Sequence, residues 1–359
     1  MSRLWSTILQ DLQPYTAGEQ PSDKRYIKLN TNENPYPPSP GAYEAYKNIS
    51  FDDLRLYPDP QSNDLCRAIA EYHGLSPSQV FAGNGSDEIL ALVYMAFFKQ
   101  ERPILFPSIS YSFYPVYCNL FNVDAVLEPL EEDFSLNLSA YSTDNGGIIF
   151  PNPNAPTGKT VSRAGIRRLL RRNTESVVVV DEAYVDFGAP SCVELIDEFP
   201  NLLVVQTFSK SRSLAGLRVG YALGHADLIT GLRMVKDSFN SYPVDRVASQ
   251  VCIASLADRE YFESCCAKIM ATRGRIRAEL QKRHFEVIDS AANFIFVKPP
   301  TVPAETLYRK LKDAGILVRY FGRKPLLGDY CRISIGTDDD MNALLSAIDT
   351  ILMNEETQK

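Results

Sequence analysis

The sequence predicts an α/β fold: a mostly parallel sheet flanked by helices, followed by a smaller α+β domain. Three observations carry that prediction. Short, wholly apolar runs such as Val177-Val178-Val179-Val180 and Leu202-Leu203-Val204-Val205 recur through the first part of the chain, and a strand apolar on both faces belongs to a sheet covered on both sides. Segments with helical spacing separate those runs, as in βαβ units. Polar or glycine-bearing stretches directly follow several of them, where parallel sheets keep their ligand chemistry.

Taken in order, residues 1–60 are rich in Pro, Asn and Tyr, with Pro35, Pro37, Pro38 and Pro40 close together, so extended and turning chain is expected. From Ser62, Leu65, Ile69 and Tyr72 repeat at helical spacing until Gly74, a natural helix end. Ser76-Pro77 turns into a strand at Val80-Phe81-Ala82, and the apolar run from Ile89 to Phe98 has a helix's length. Ile104-Leu105-Phe106, a segment around Val126, and Ile148-Ile149-Phe150 read as strands. A basic helix at 161–172 precedes the two valine- and leucine-rich strands. Its arginines read as the wet face of an amphipathic helix.

Helix is expected from Val247 to Leu256 and along the charged stretch Arg259 to Arg283. Asn293–Val297 and Cys331–Ile335 read as strands, 305–314 as a helix ending at Gly315, and Asp338 to Met353 as a final helix. The expected division is an arm at 1–45 that joins the small domain, a large cofactor-binding domain at 46–255, and a small C-terminal domain at 256–359.

Bulk composition narrows the function. The chain has 359 residues, with 37 basic and 44 acidic side chains and a net charge of -7, and no strongly basic segment offsets that charge for a nucleic-acid partner. Seven scattered cysteines without paired metal-ligand spacing read as reduced thiols of a cytoplasmic protein. Asp11 comes too early for a signal peptide, and no run has the roughly 18 apolar residues needed to span a membrane. Three widely separated histidines, His73, His225 and His284, argue against a metal hydrolase, and no metal is expected.

Five stretches carry chemistry. In Thr207-Phe208-Ser209-Lys210, with Arg218 eight residues on, a lysine amine able to form a Schiff base lies near phosphate-gripping Ser and Arg; the alternative is a polar surface loop. Asp181 ends an apolar strand, where a carboxylate needs a cationic partner such as a pyridinium nitrogen, unless it caps the next helix. Gly83-Asn84-Gly85-Ser86-Asp87-Glu88 offers a tight turn and helix-terminal amides to an anion, although its acids also suit a first helical turn. Tyr111 follows a strand and can stack on a planar ring or serve the core. Asn152-Pro153-Asn154-Ala155-Pro156-Thr157-Gly158 is either a rigid turn or the source of an amide donor beside Tyr184. The joint reading is a pyridoxal phosphate enzyme held through Lys210.

These residues resemble those of the fold-type I pyridoxal-phosphate aminotransferases, and specifically the histidinol-phosphate aminotransferase family. The similarity runs from Leu12-Gln13-Pro14-Tyr15 to Arg332-Ile333-Ser334-Ile335-Gly336. It is carried by Leu29–Pro35, Tyr57-Pro58, Gly85–Glu88, Asp181–Tyr184 and Ser209-Lys210 with Leu214–Arg218. The resemblance implies that Lys210 is the Schiff-base lysine, Asp181 the partner of the ring nitrogen, Tyr111 the stacking ring and Tyr184 the partner of the phenolic oxygen. It places the cofactor phosphate among Gly85, Ser86, Asp87, Thr207, Ser209 and Arg218, with Tyr57 reaching across a homodimer. Arg332 and Arg319 become anion-binding arginines for substrate, and Tyr15 and Asn32 close its pocket. The family's usual Asn-Pro-Thr-Gly has Ala155 before Pro156 here, so either Asn154 reaches in or Tyr184 bears more of that contact.

The implied reaction exchanges an amino group between histidinol phosphate and 2-oxoglutarate, giving imidazole acetol phosphate and glutamate. Competing readings are an aromatic amino-acid aminotransferase and a non-catalytic binding or regulatory protein on a degenerate scaffold.

Overall fold

A computed structural model describes residues 3–10 and 12–356; the first two residues and Asp11 lie outside the described residues. After a two-residue strand β1 (Ile27–Lys28), seven strands build a large sheet: β2 (Val80–Gly83), β3 (Ile104–Pro107), β4 (Ala125–Glu128), β5 (Gly147–Pro151), β6 (Val178–Asp181), β7 (Leu202–Thr207) and β8 (Gly220–Gly224). Their spatial order is β2-β8-β7-β6-β5-β3-β4. Only β8 runs antiparallel to its neighbours, so the other six strands point their carboxyl ends the same way.

Alternation along each strand explains the apolar runs. Val178 and Val180 pack on one face with Ile166, Leu169 and Leu170 of the basic helix. Val179 between them packs on the other, with Ile89 and Leu90 of the helix Gly85–Val93 and Ile229 of the helix Ala226–Phe239. Both faces are therefore covered. Of the basic helix's arginines, Arg167 and Arg171 meet Glu198 at 2.9 and 3.1 Å in the solvated layer, where such pairs contribute little.

β8 was not expected. Gly-Tyr-Ala-Leu-Gly has weak strand character, but a Cβ on Gly220 would stand 2.5 Å from the Ser86 amide nitrogen. Glycine is what lets β8 lie against the Gly85-Ser86 loop. The run Ile89 to Phe98 also divides, into an α-helix to Val93 and a π turn over Tyr94–Phe98.

The C-terminal part builds a second sheet from β9 (Glu286–Ile288), β10 (Phe294–Lys298), β12 (Arg319–Tyr320) and β13 (Cys331–Ser334), in the order β12-β13-β10-β9. The short β11 (Ile316–Leu317) pairs in parallel with β1. Leu29 is buried in the same core as Ile295, Ile333 and Leu344, and its carbonyl accepts the Ser334 N–H at 2.9 Å. The N-terminal segment thus packs into the smaller sheet's core and carries Asn30, Thr31 and Asn32 to the large sheet's ligand edge.

Candidate active site

The loops at that edge surround a cavity of about 430 Å³. Ser86, Asp87, Tyr111, Asp181, Tyr184, Thr207, Ser209, Lys210 and Arg218 line it from the large sheet, Arg319 and Arg332 from the smaller one, and Tyr15 and Asn32 from the N-terminal segment.

β6 is buried throughout and ends in Asp181. The carboxylate accepts the Tyr114 hydroxyl on Oδ2 at 3.1 Å and the Ala183 N–H on Oδ1 at 3.2 Å. Burial pushes this carboxyl up to about 6, opposed by those two donors and by the Lys210 cation. A desolvated acid facing a cavity is a functional candidate.

β7 delivers Thr207, whose hydroxyl donates to Ser209 Oγ at 3.0 Å and accepts the Ser209 N–H at 3.1 Å. Lys210 Nζ donates to the Thr31 carbonyl at 3.2 Å and lies 5.7 Å from the centre of the Tyr184 ring. Asn34 clamps the loop by donating to the carbonyls of Lys210 and Ser211. Among the described residues Lys210 pairs with no carboxylate.

The glycine loop meets the same corner. Arg218 adopts a left-handed backbone and donates to Asp87 Oδ2 at 3.1 Å, while Tyr111 donates to Asp87 Oδ1 at 2.7 Å. Gly85 has φ +78°, and a Cβ there would fall 2.6 Å from Arg218 Nη2. Glycine is needed both for the backbone angle and for room beside the guanidinium.

At the far wall, Arg319 of β12 lies opposite Arg332 of β13 in register. Arg332 donates to the Asn30 carbonyl at 2.9 Å, but its Nε is buried without a partner, and burial pulls its pKa down. Arg319 reaches the Thr16 carbonyl at 3.4 Å. Neither guanidinium meets a carboxylate among the described residues. Asn32, also left-handed, is fixed by Ser334 and Asn293 and donates to the Tyr184 hydroxyl at 3.0 Å. Tyr15 stacks on Phe113 with ring centres 4.5 Å apart.

Two expected residues stand elsewhere. Tyr57 is 79% exposed, stacked on Tyr242, and lines no part of this chain's cavity. Asn154 is buried but turns its amide donor to the Ile109 carbonyl at 3.0 Å and to the Thr157 hydroxyl at 3.2 Å; Ala155 and Pro156 line the cavity instead. The Oδ1 of Asn154 has no partner.

Sequence reasoning missed Tyr114, Phe321 and Lys324, the last two on the cavity wall. It also missed the buried Glu182, which accepts from Ser191, the Cys192 N–H and Gln206, and whose carboxyl burial pushes up to about 7. Glu182 lies within the Asp181–Tyr184 stretch but drew no role there, and no local motif marks Tyr114, Phe321 or Lys324.

The class of protein is that of the aminotransferases: the profile of the family "Aminotransferase class I and II" matches residues 24–348. The chain is 54% identical over 351 residues to the histidinol-phosphate aminotransferase of Chromohalobacter salexigens, covering 98% of this chain and 99% of the relative. It is 52% identical to histidinol-phosphate aminotransferase 1 of Hydrogenovibrio crunogenus, covering 99% of each. A solved structure of histidinol-phosphate aminotransferase from Sinorhizobium meliloti, in complex with pyridoxal-5'-phosphate, superposes with a TM-score of 0.87 at 25% identity over 99% of both chains. The chain belongs to the histidinol-phosphate aminotransferases within the class I and II aminotransferase family, and its fold is the fold-type I arrangement.

Proposed function

We propose that this chain transfers an amino group between histidinol phosphate and 2-oxoglutarate, giving imidazole acetol phosphate and glutamate, with pyridoxal phosphate as cofactor. The observation that carries the reading is one cavity lined by an amine, a buried acid and two opposed arginines that meet no carboxylate among the described residues. The residues suit the cofactor on three counts. Asp181 is a desolvated acid ready for a cationic ring nitrogen, Lys210 is an amine that pairs with no carboxylate among the described residues, and the Gly85 turn leaves room for the Arg218 guanidinium beside Ser86.

In this reading Lys210 holds the cofactor's aldehyde carbon, and Asp181 holds its ring nitrogen. Tyr111 lies against the ring, and Gly85, Ser86, Asp87, Thr207, Ser209 and Arg218 surround its phosphate. Tyr184 takes the phenolic-oxygen contact, because Asn154 spends its donor on Ile109 and Thr157. When bound, the cofactor supplies an electron-withdrawing ring that stabilises negative charge on the substrate's amino carbon. The Lys210 amine moves the proton at that carbon. Arg332 receives the α-carboxylate of glutamate in a bidentate pair, and Arg319 joins it for the phosphate of histidinol phosphate. Tyr15 and Asn32 close the pocket over either substrate. Tyr57, exposed and aromatic, would serve the site of a second copy in a homodimer. Seven unpaired cysteines accord with a reducing, cytoplasmic setting.

The test is Arg319→Ala. Hydrogen bonds to charged groups are worth about 1.5–3 kcal/mol, so kcat/KM for histidinol phosphate should fall roughly ten- to 150-fold. The loss for phenylalanine should be much smaller. Equal losses would favour the aromatic amino-acid reading.

A further inference from the structure

The substrate wall contains two like charges in a position where proteins ordinarily avoid them. Side chains directly opposite in an antiparallel pair share one face, and like charges there repel. Arg319 and Arg332 occupy such a pair. The usual remedy is a carboxylate between them, and neither has one among the described residues. Aromatic rings stand there instead. Phe321, two residues after Arg319, has its ring 5.7 Å from the guanidinium carbon of each arginine. Phe294 lies 5.3 Å from Arg332. Phe296, in register with Arg332 on its other side, packs against Phe321 at 6.3 Å. Of these three rings only Phe321 lines the cavity.

We propose that Phe321 is a positioning residue for substrate, holding both guanidiniums on its π face and so keeping the pair open to a phosphate. The inference rests on the transamination reading above. A carboxylate in that place would neutralise the arginines and occupy their N–H donors, competing with substrate. An aliphatic side chain would fill the volume but attract neither cation. A ring attracts a cation through its quadrupole and uses none of the donors. Because one ring serves both arginines, it also limits how far apart they stand. The Nε of Arg332 is itself buried and meets no acceptor among the described residues.

The experiment compares Phe321→Leu, Phe321→Tyr and Arg319→Ala as holoenzymes with wild type. Two constants are read: KM for histidinol phosphate at saturating 2-oxoglutarate, and the inhibition constant of inorganic phosphate. Phe321→Leu should raise both about tenfold, with kcat lowered by less than KM rises. Phe321→Tyr, which keeps the π face, should return both to within about twofold of wild type. Phe321→Met replaces the leucine variant if that chain does not fold.

Leucine and wild-type constants that coincide while Arg319→Ala is impaired would overturn the proposal and leave the transamination reading standing. A leucine variant with lower Tm and kcat but unmoved KM and phosphate inhibition would also overturn it, because the ring would then serve packing alone. An Arg319→Ala enzyme unimpaired toward histidinol phosphate would end the underlying reading, and the proposal with it.

Discussion

Tyr114→Phe removes one oxygen and tests how the acid at the end of β6 is tuned. The Tyr114 hydroxyl is buried and donates to Asp181 Oδ2 at 3.1 Å, the only side-chain donor to that carboxylate among the described residues. With it in place the carboxyl titrates at about 6. A hydrogen bond to a charged group contributes about 1.5–3 kcal/mol. One pKa unit is about 1.4 kcal/mol, so the variant's carboxyl should titrate roughly one to two pH units higher. The sign follows from the bond favouring the ionised form. Its stabilisation is present where Asp181 is charged and fades as pH falls through about 6.

Two measurements follow from that sign. The Tm difference between wild type and Tyr114→Phe should be small at pH 5 and largest near pH 8. Cofactor affinity of the apoprotein, by equilibrium dialysis, should reach its plateau at higher pH in the variant; ionisations of the free cofactor are common to both proteins and cancel in the comparison. A Tm difference constant from pH 5 to 8, with superposable affinity profiles, would refute the argument that Tyr114 holds Asp181 ionised.

Two further outcomes are expected. Lys210→Ala should lose transaminase turnover, together with the near-ultraviolet or visible band of the cofactor-bound protein; full activity in that variant would remove the assignment of the lysine. Gly220→Ala puts a methyl group 2.5 Å from the Ser86 nitrogen and 2.7 Å from the Gly85 carbonyl carbon, backbone atoms that cannot rotate away. Overpacking of this kind costs about 1–3 kcal/mol, so thermal unfolding should show a lower Tm and dialysis a weaker hold on the cofactor, and an unchanged Tm would mean the loop and β8 are not in close contact.

What could be read from the sequence was local. β5, β6 and β7 announce themselves because both faces are buried, so apart from the polar ends Asp181, Gln206 and Thr207 their residues are apolar or glycine and no alternation is needed to find them. The polar groups beyond their carboxyl ends sit within a few residues of that signal, which is why Asp181, Thr207, Ser209 and Lys210 were legible as one edge. β8 was hidden because Gly220 serves a close approach to the Gly85-Ser86 loop, a requirement set by residues far away in the chain. Tyr114 and Asp181 are 67 residues apart, and Asn32 and Ser334 are 302 apart. Their contacts exist only after the sheet and the N-terminal crossing have formed. Asn154 shows the same limit from the other side: its spacing within the turn suited an inward donor, yet the distant Ile109 carbonyl and the turn's own Thr157 hydroxyl take that donor in this structure.

The charge layout accounts for how two dissimilar substrates would share this pocket on the proposed reading. The chain carries a net charge of -7, which at a distance repels both a phosphate ester and a dicarboxylate. The cavity wall reverses that sign: Lys210, Arg218, Arg319, Lys324 and Arg332 line it against the two acids Asp87 and Asp181. One of those acids is spent on Arg218, and the other is pushed up to about 6 by burial and accepts from Tyr114 and Ala183. A low-dielectric cleft lined by one sign of charge concentrates counter-ions. On the proposed reading, the sorting is therefore by anionic end group, while Lys210 and Asp181 set the reacting amine. Phosphate and carboxylate both satisfy a forked guanidinium, so a wall built from unneutralised arginines accepts either without being rebuilt between the two halves of the exchange.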